Sequence, residues 1–269
     1  MNNKYIGVFD SGVGGLSAVK EIIKKMPDEN IVYFGDTGRV PYGTRSNETI
    51  TKYAISDMKF LKSHDIKLVV VACGTVSTVA LPTLKDEFDI PIIGVVEPAA
   101  ISACNATKNK KIGVIGTSGT IRSNKYEEQI KSIMPDALVK SIACPMFVPL
   151  VENNMADSEA AYLIAKDYLE DFISMGIDTL VLGCTHYPHL KNTIKKVLGN
   201  DVTLIDSGAA TADFVLEYLT KNNLLCNKTF DEQYKYFVSD SVEGFSKIAD
   251  VFLGRNIDKM VKKIDIERY

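Results

Sequence analysis

Three segments in the first half of the chain recur in the same order in its second half, and this repeat constrains the fold more than any other feature. Lys4–Gly12 resembles Lys111–Gly119, Asp65–Thr75 resembles Gly176–His186, and Ile93–Glu97 resembles Leu204–Asp206. The matching positions lie roughly 105–111 residues apart, a usual length for a small α/β domain. The repeat therefore predicts two similar domains related by an internal pseudo-symmetry.

Short apolar runs rich in valine and isoleucine alternate with longer amphipathic stretches. The runs, which we interpret as strands, are Tyr5–Phe9, Ile31–Phe34, Leu68–Ala72, Ile92–Val96, Ile112–Ile115, Ala137–Ile142, Thr179–Leu182, Val202–Ile205 and Tyr234–Val238. The stretches, which we interpret as helices, include Gly14–Met26, Asn47–His64, Val76–Phe88, Ser158–Met175, Leu190–Leu198, Ala209–Lys221 and Val242–Leu253. Continuous apolar strands separated by helices are typical of mostly parallel sheets covered on both faces, so the predicted fold class is α/β.

The repeat also predicts how the chain divides into domains. We expect residues 1–95 to form the first domain and residues 96–206 the second. The tail, 207–269, is too short for a third such domain, so we expect it to return to the first. No low-complexity linker separates the halves, and open parallel sheets bind ligands beyond the carboxyl ends of their strands. The active site is therefore expected in the cleft between the two domains.

Charge and composition argue against several classes of protein. The formal net charge of −3 gives no basic field of the kind that binds nucleic acids. No apolar run reaches the length of about eighteen residues that indicates a membrane span. The N-terminus also lacks the long apolar region and the cleavage site of a signal peptide. We therefore expect a cytoplasmic protein with no nucleic-acid partner and no membrane partner.

The five cysteines are Cys73, Cys104, Cys144, Cys184 and Cys226. They form no CxxC pair and their number is odd, which argues against a metal site or a disulfide framework. A free cysteine is most often a small buried apolar residue. Cys73 and Cys184, however, occupy equivalent positions of the repeat, each after a strand and before a helix. Because helix starts stabilise thiolates, we expect both to be usable bases near neutral pH that face one cleft from opposite sides.

Two opposed thiols suit the inversion of a carbon centre. A single base returns a proton mostly to the face from which it was removed, whereas a thiolate on one face and a thiol on the other move it across the carbon. The carbanionic transition state needs nearby hydrogen-bond donors and a site that excludes water. The sequence therefore favours an amino-acid racemase that works without a cofactor.

Polar residues at other strand ends supply further candidates for the site. The first strand ends in Asp10 and Ser11 within a glycine-rich turn, the second ends in Asp36, and the turn Pro41–Gly43 follows. Such residues also serve as ordinary caps and turns, and the glycine-rich turn lacks the full pattern of a phosphate-binding loop. The acid–base groups available to tune the thiols are Asp10, Asp36, Glu152 and His186.

Five segments resemble the cofactor-independent glutamate racemases of bacteria, within the aspartate/glutamate racemase superfamily. They are Phe9–Ser17 (FDSGVGGLS), Gly35–Gly43 (GDTGRVPYG), Val71–Thr75 (VACGT), Val148–Glu152 (VPLVE) and Gly183–His189 (GCTHYPH). They run through both halves in the family's order and at its approximate spacing. The combination of DSGVGG with GCTHYP is specific.

The resemblance implies glutamate as the substrate, with Cys73 acting on one enantiomer and Cys184 on the other. It implies that Asp36, Glu152 and His186 assist the thiols. The substrate contacts that it implies come from Asp10, Ser11, Pro41, Tyr42, Gly43, Gly74, Thr75, Ser118, Thr120, Thr185 and His186. It further implies a supply of D-glutamate for peptidoglycan and, commonly, a homodimer.

The chain departs from the family where Gly74 follows the first cysteine in place of the usual asparagine. Losing a side-chain donor to a charged ligand group weakens binding by roughly 1.5–3 kcal/mol unless water or the backbone replaces it. Gly74 keeps its N–H group, so a main-chain contact is still expected. The departure bears on the identity of the substrate more than on the type of reaction.

Three alternatives stay open from the sequence. A related racemase would act on aspartate or another small amino acid, and assays with both substrates separate the two. A two-lobed binding protein would hold an anionic ligand in the cleft but would have no use for paired thiols. A pyridoxal phosphate enzyme would absorb visible light through its cofactor, although no lysine here stands in a recognisable cofactor context.

Overall fold

The computed structural model describes residues 3–226 and 233–269. The strands in these ranges are β1 (Tyr5–Asp10), β2 (Asn30–Gly35), β3 (Ile66–Val71), β4 (Ile92–Gly94), β5 (Lys111–Gly116), β6 (Leu138–Ala143), β7 (Thr179–Leu182), β8 (Thr203–Asp206), β9 (Tyr234–Val238) and β10 (Val261–Lys263). The α-helices are α1 (Leu16–Lys25), α2 (Asn47–Lys62), α3 (Gly74–Val79), α4 (Leu81–Glu87), α5 (Val96–Ala106), α6 (Ser118–Arg122), α7 (Lys125–Ile133), α8 (Phe147–Glu152), α9 (Glu159–Met175), α10 (Lys191–Leu198), α11 (Ser207–Lys221) and α12 (Val242–Leu253).

The strands form two parallel sheets of matching topology. The first sheet has the order β10-β9-β2-β1-β3-β4, and the second has the order β6-β5-β7-β8. Strands β1 to β4 and β5 to β8 therefore occupy equivalent places, since β1 and β5 each lie between the second and third strands of their own half. The strands read from the sequence pair in parallel, and the predicted α/β class is confirmed.

The tail of the chain extends the first sheet. Strand β9 pairs with β2, with Tyr33 opposite Tyr236, and β10 pairs with β9. Helix α12 packs on α1, and α11 packs on both α1 and α5. Because α11 begins directly after β8, it leads the chain from the second sheet back to the first. The domain boundaries at 95/96 and 206/207 stay a prediction.

Several elements differ from the sequence prediction. Strand β4 ends at Gly94, short of the predicted strand Ile92–Val96, so Val96 and Glu97 lie in the first turn of α5. Pro98 stands in that first turn, where a proline removes no helical hydrogen bond. Helix α5, which the sequence did not indicate, follows an apolar run with no turn between them. The predicted helix 76–88 is divided into α3 and α4, with Pro82 near the start of α4.

Local capping and a shared core hold these elements in place. Ser46, Ser158 and Asp206 accept hydrogen bonds from backbone N–H groups at the starts of α2, α9 and α11, as N-caps usually do. The largest cluster of buried apolar side chains includes residues of both sheets, such as Val8 and Leu182. A continuous core of this kind keeps the two sheets in contact. Within the described ranges, no helix has both the length and the apolar character that crossing a bilayer requires.

Candidate active site

The strand ends of the two halves meet around a cavity of about 320 Å³. Its lining consists of Asp10, Ser11, Gly12, Val40, Pro41, Tyr42, Gly43, Cys73, Gly74, Thr75, Thr117, Thr120, Val148, Glu152, Gly183, Cys184, Thr185 and His186. Of the site residues expected from the sequence, only Asp36 and Ser118 are not part of this lining. A cavity of this size is suited to a small molecule.

Cys73 lies just beyond the end of β3, at the N-cap position of α3, as the sequence indicated. The residue is 7% exposed, and its Sγ donates a hydrogen bond to Oγ of Ser11 over 3.7 Å. Burial raises the pKa of this thiol to about 12, with the charge of Asp10 adding to the effect and the N–H of Val76 opposing it. The expectation that the helix start would make Cys73 a base near neutral pH is therefore wrong. Desolvation outweighs the hydrogen bonds from Val76 and Ser11, and Cys73 rests as a thiol.

Asp10 supplies a buried acid beside Cys73. Its carboxylate accepts a hydrogen bond of 2.9 Å from the N–H of Gly12, and the residue is 2% exposed. Burial raises the pKa of Asp10 above its usual range, against the opposing effect of the positive charge on His186. A carboxyl group with a raised pKa holds a proton more readily, so Asp10 is suited to proton exchange with the neighbouring thiol.

Cys184 lies after β7 in a different electrostatic setting. Its Sγ is 3.9 Å from Nδ1 of His186, whose Nε2 is 3.0 Å from Oε1 of Glu152. Burial lowers the pKa of His186, but hydrogen bonds and charge interactions with Cys184 and Glu152 outweigh burial and raise this pKa to about 10. An imidazolium beside a sulfur atom favours the thiolate over the thiol. The two cysteines, equivalent in sequence, therefore have different neighbours: the buried acid Asp10 near Cys73 and the imidazole of His186 beside Cys184.

Three of the four threonines that line the cavity have hydroxyl groups in contact with one another. Oγ1 of Thr75 lies 3.0 Å from Oγ1 of Thr117, which lies 3.1 Å from Oγ1 of Thr120. Thr117 also caps α6 by accepting a hydrogen bond from the N–H of Thr120. The structure thus places Thr117 in the lining, where the sequence interpretation placed Ser118. A residue between a strand and its helix is the natural N-cap, and that signal would have identified Thr117.

Asp36 lies behind the cavity wall. The side chain is fully buried, and it accepts hydrogen bonds from Nε of Arg39 over 2.6 Å and from the hydroxyl of Tyr42. Tyr42 belongs to the lining, so Asp36 is connected to the site through this residue. Asp36 was expected to assist the thiols directly. It is not part of the cavity lining, so no contact supports this role.

Four more lining residues were not expected from the sequence, namely Gly12, Val40, Val148 and Gly183. Valine carries no chemical signal, and a glycine that contributes its backbone is visible only when its neighbours in space are known. Within the described ranges, no group of three or more histidine, cysteine or acidic side chains could hold a metal ion.

Two glycines allow the halves to approach closely beside the cavity. A Cβ atom on Gly74 would lie far inside van der Waals contact of the carbonyl oxygen of Gly183. A Cβ atom on Gly14 would overlap Oγ1 of Thr185 and would lie 2.7 Å from Nδ1 of His186. With glycine at 74 and 14, the halves of this chain therefore come closer together than a side chain at either position would allow without a shift of its neighbours.

Comparison with known proteins finds relatives that span the whole chain. The Asp/Glu/Hydantoin racemase family matches residues 6–215. A glutamate racemase of Geobacter metallireducens is 50% identical over 251 residues, which cover 93% of each sequence. The crystal structure of a glutamate racemase isoform from Bacillus anthracis superposes with a TM-score of 0.93 at 41% identity, covering 98% of both chains.

A second solved structure is that of the glutamate racemase from Francisella tularensis in complex with D-glutamate. It superposes with a TM-score of 0.92 at 37% identity, and the match covers 100% of both chains. Similarity of this extent includes both sheets, the returning tail and every element that lines the cavity. The chain therefore belongs to the Asp/Glu/Hydantoin racemase family.

Proposed function

We propose that the chain interconverts L- and D-glutamate by moving a proton across the α-carbon between Cys73 and Cys184, without a cofactor. The observation that carries this proposal is that two cysteines, from equivalent strand ends of the two halves, line one cavity. Relatives that are named glutamate racemases and are 37–50% identical over nearly the full chain support glutamate as the substrate.

The resting protonation states follow from the neighbours of each sulfur. Burial keeps Cys73 a thiol, and the imidazolium of His186 favours a thiolate at Cys184. In the first half of turnover the thiolate of Cys184 removes the α-proton from one face of the substrate. The thiol of Cys73 then donates its proton to the opposite face of the carbanion.

Each turnover leaves the two sulfurs in exchanged states. Cys184 ends as a thiol and Cys73 as a thiolate, which is the state required to convert the opposite enantiomer. Asp10 is placed to return a proton to Cys73, and His186 can take the proton of Cys184 at Nδ1 once its own Nε2 proton has passed to Glu152 and on to solvent. These two groups explain how the resting states are restored in both directions without a cofactor.

The lining residues supply donors for the charged ends of an amino acid. Hydroxyl groups come from Ser11, Thr75, Thr117, Thr120 and Thr185. The hydroxyl of Tyr42 is taken by Asp36, so Tyr42 and Gly43 are proposed to contact the substrate through the backbone and the face of the ring. Fixed donors of this kind stabilise the charge that develops on the substrate carboxylate as the α-proton leaves.

The proposal extends to the cell and to the assembly of the protein. D-Glutamate made in the cytoplasm would supply peptidoglycan synthesis, and the family resemblance favours a homodimer. We propose two domains, residues 1–95 with 207–269 and residues 96–206, with the cavity between them. Size measurement in solution by light scattering tests the dimer.

Solvent deuterium exchange tests the two-base mechanism. In deuterated water the wild type is expected to convert either enantiomer of glutamate and to label the α-carbon of the product. Cys73→Ala and Cys184→Ala are each expected to lose racemisation and to keep α-exchange with only one enantiomer, a different one for each variant. Cys104→Ala, at a buried cysteine away from the cavity, is the matched control and is expected to racemise as the wild type does.

Other results would contradict parts of this proposal. Turnover near that of the wild type in either cysteine variant would show that the two-base assignment is wrong. Racemisation of aspartate in preference to glutamate would overturn the substrate. Binding of glutamate with no α-exchange in the wild type would indicate a binding protein instead of an enzyme.

A further inference from the structure

A compact set of buried polar side chains lies behind the cavity wall. We call Asp36, Arg39, Tyr42 and Asp57 the carboxylate cluster. Nε of Arg39 donates to Asp36 over 2.6 Å, and its Nη2 donates to Asp57 over 2.8 Å. The hydroxyl of Tyr42 contacts Asp36 and lies 3.2 Å from Oδ2 of Asp57. Both carboxyl groups are fully buried, and the Arg39 side chain is 10% exposed.

The hydrogen bonds of the cluster need one proton more than the side chains carry when both acids are ionised. The phenol of Tyr42 has a single proton, and its shorter contact is with Asp36. With both acids ionised, the phenol must share its one proton between Asp36 and Asp57, whereas a protonated Asp57 donates to the phenol oxygen and gives each contact a proton of its own. The charges lead to the same result, since one guanidinium balances only one of two buried carboxylates.

We propose that Arg39 and Asp57 are positioning residues for the racemase site, and that Asp57 acts as a neutral carboxylic acid which donates to Tyr42 while Asp36 is ionised. The inference rests on the proposed function. The cluster holds the ring of Tyr42 in the cavity wall from behind, and none of Arg39, Asp36 or Asp57 touches the substrate.

The surroundings of the cluster agree with this assignment. Burial and the charge of Asp36 raise the pKa of Asp57 well above its usual range, against the opposing effect of Arg39. Ser239 donates to the other oxygen of Asp36 over 2.8 Å. The guanidinium lies 4.4 Å from the ring centre of Tyr53, and its only further acid in the described structure is Glu267, at 3.8 Å and largely exposed. In the part of the chain that the structure describes, Asp57 faces no second cation that would keep it ionised.

The wall that the cluster supports also touches the second half of the chain. A Cβ atom on Gly43 would lie 3.3 Å from the side chain of Thr117, and a Cβ atom on Gly119 would lie 3.0 Å from the carbonyl oxygen of Gly43. The segment 40–43 is therefore held between the cluster on one side and the lining of the second half on the other. A displacement of Tyr42 would change the cavity where the two halves meet.

Two substitutions of Asp57 test whether the residue is a neutral acid and whether its hydrogen bonds are needed. Asn has the shape of the neutral acid and can accept from Arg39 and donate to Tyr42, so Asp57→Asn is expected to leave kcat and KM within about threefold of the wild type. Leu has a similar size but no hydrogen bonds. Asp57→Leu is therefore expected to raise KM about tenfold or more while kcat changes less, because it loosens the wall. Lys59→Gln, on the exposed face of the same helix, is the control.

Arg39→Lys provides a second and independent test. Lysine keeps the charge but cannot reach both carboxyl groups as the planar guanidinium does, so KM is expected to rise as in Asp57→Leu. If both Asp57→Leu and Arg39→Lys fold and keep the KM of the wild type, the positioning role is overturned. If Asp57→Asn loses as much activity as Asp57→Leu, Asp57 is ionised and the proton assignment is overturned.

An infrared measurement makes the test independent of catalysis. The difference spectrum of the wild type minus Asp57→Asn is expected to contain the C=O stretching band of a protonated carboxylic acid, and a carboxylate band in its place would overturn the assignment. KM is measured with whichever amino acid the wild type racemises. A wrong substrate in the proposed function would thus be seen in the wild type alone, and would leave the comparison among variants valid.

Discussion

His186 joins a carboxylate at the surface to a thiol in the cavity: its Nε2 lies 3.0 Å from Oε1 of Glu152, and its Nδ1 lies 3.9 Å from Sγ of Cys184. The side chain of Glu152 is 40% exposed, whereas that of His186 is 9% exposed. The imidazole therefore lies between the carboxylate of Glu152 and the sulfur of Cys184 and contacts both. This relationship gives Cys184 a route for protons toward solvent that differs from the buried Asp10 beside Cys73.

Removing the charge of Glu152 is expected to slow racemisation in both directions. In Glu152→Gln, the hydrogen bond to His186 becomes neutral, so the imidazolium that favours the thiolate is less stable. Loss of a charge-assisted hydrogen bond costs roughly 1.5–3 kcal/mol, which corresponds to about a tenfold to hundredfold fall in kcat/KM. The measurement is kcat/KM for each enantiomer across pH, and the alkaline limb is expected to move to lower pH. Glu159→Gln, at the start of α9, is the control, and an unchanged pH profile in Glu152→Gln would refute the role.

The free energy of unfolding is expected to depend on pH through the titration of His186. Its pKa is raised from 6.5 to about 10 in the folded protein, since interactions with Cys184 and Glu152 outweigh burial. A raised pKa contributes stability that is complete below pH 6.5 and is lost as the pH rises toward 10. The difference in unfolding free energy between wild type and His186→Gln should therefore shrink by on the order of a few kcal/mol over this interval. Denaturant titrations under reducing conditions measure it, and a constant difference across this interval would count against the imidazolium.

The sequence was sufficient for the main architecture of the site because strands carry their own signal. Apolar runs identified both β3 and β7, and the residues that directly follow them, Cys73 and Cys184, had to lie at the same edge of their sheets. The repeat then placed the two edges opposite each other. None of this required knowledge of side-chain packing.

What the sequence could not supply depends on neighbours in space. The raised pKa of Cys73 arises from burial, which a motif does not encode, whereas a helix start alone indicated the opposite direction. Asp36 ends a strand as Asp10 does, yet it faces Arg39 and Tyr42 behind the wall. Similar positions along the chain thus have different surroundings, because the tail brings Ser239 against Asp36.

Gly14→Ala is expected to impair catalysis by displacing the histidine. The added methyl group would overlap Thr185 and would lie 2.7 Å from Nδ1 of His186, so the imidazole must move away from Cys184. A misplacement of about 1 Å at a reacting group costs about 100-fold in rate, and we expect a loss of this order in kcat with the fold retained. Gly244→Ala, in the exposed first turn of α12, is the control. It is expected to keep full activity and to gain roughly 0.5–1 kcal/mol in stability. Wild-type kcat in Gly14→Ala would contradict the close approach.

Gly74→Ala is expected to separate the two cysteines. A Cβ atom at this position would meet the carbonyl oxygen of Gly183, and backbone, unlike a flexible side chain, yields only if the ends of β3 and β7 move apart. Because both sulfurs must reach one α-carbon, a shift of about 1 Å is expected to lower kcat/KM about 100-fold for both enantiomers. Gly74→Asn introduces the residue usual in the family, but it carries the same Cβ atom and is therefore expected to lose activity as well. The Gly244→Ala variant again serves as the control. If Gly74→Asn matched or exceeded the wild type, the amide would fit after all, and glycine at 74 would not be what allows the two halves to meet.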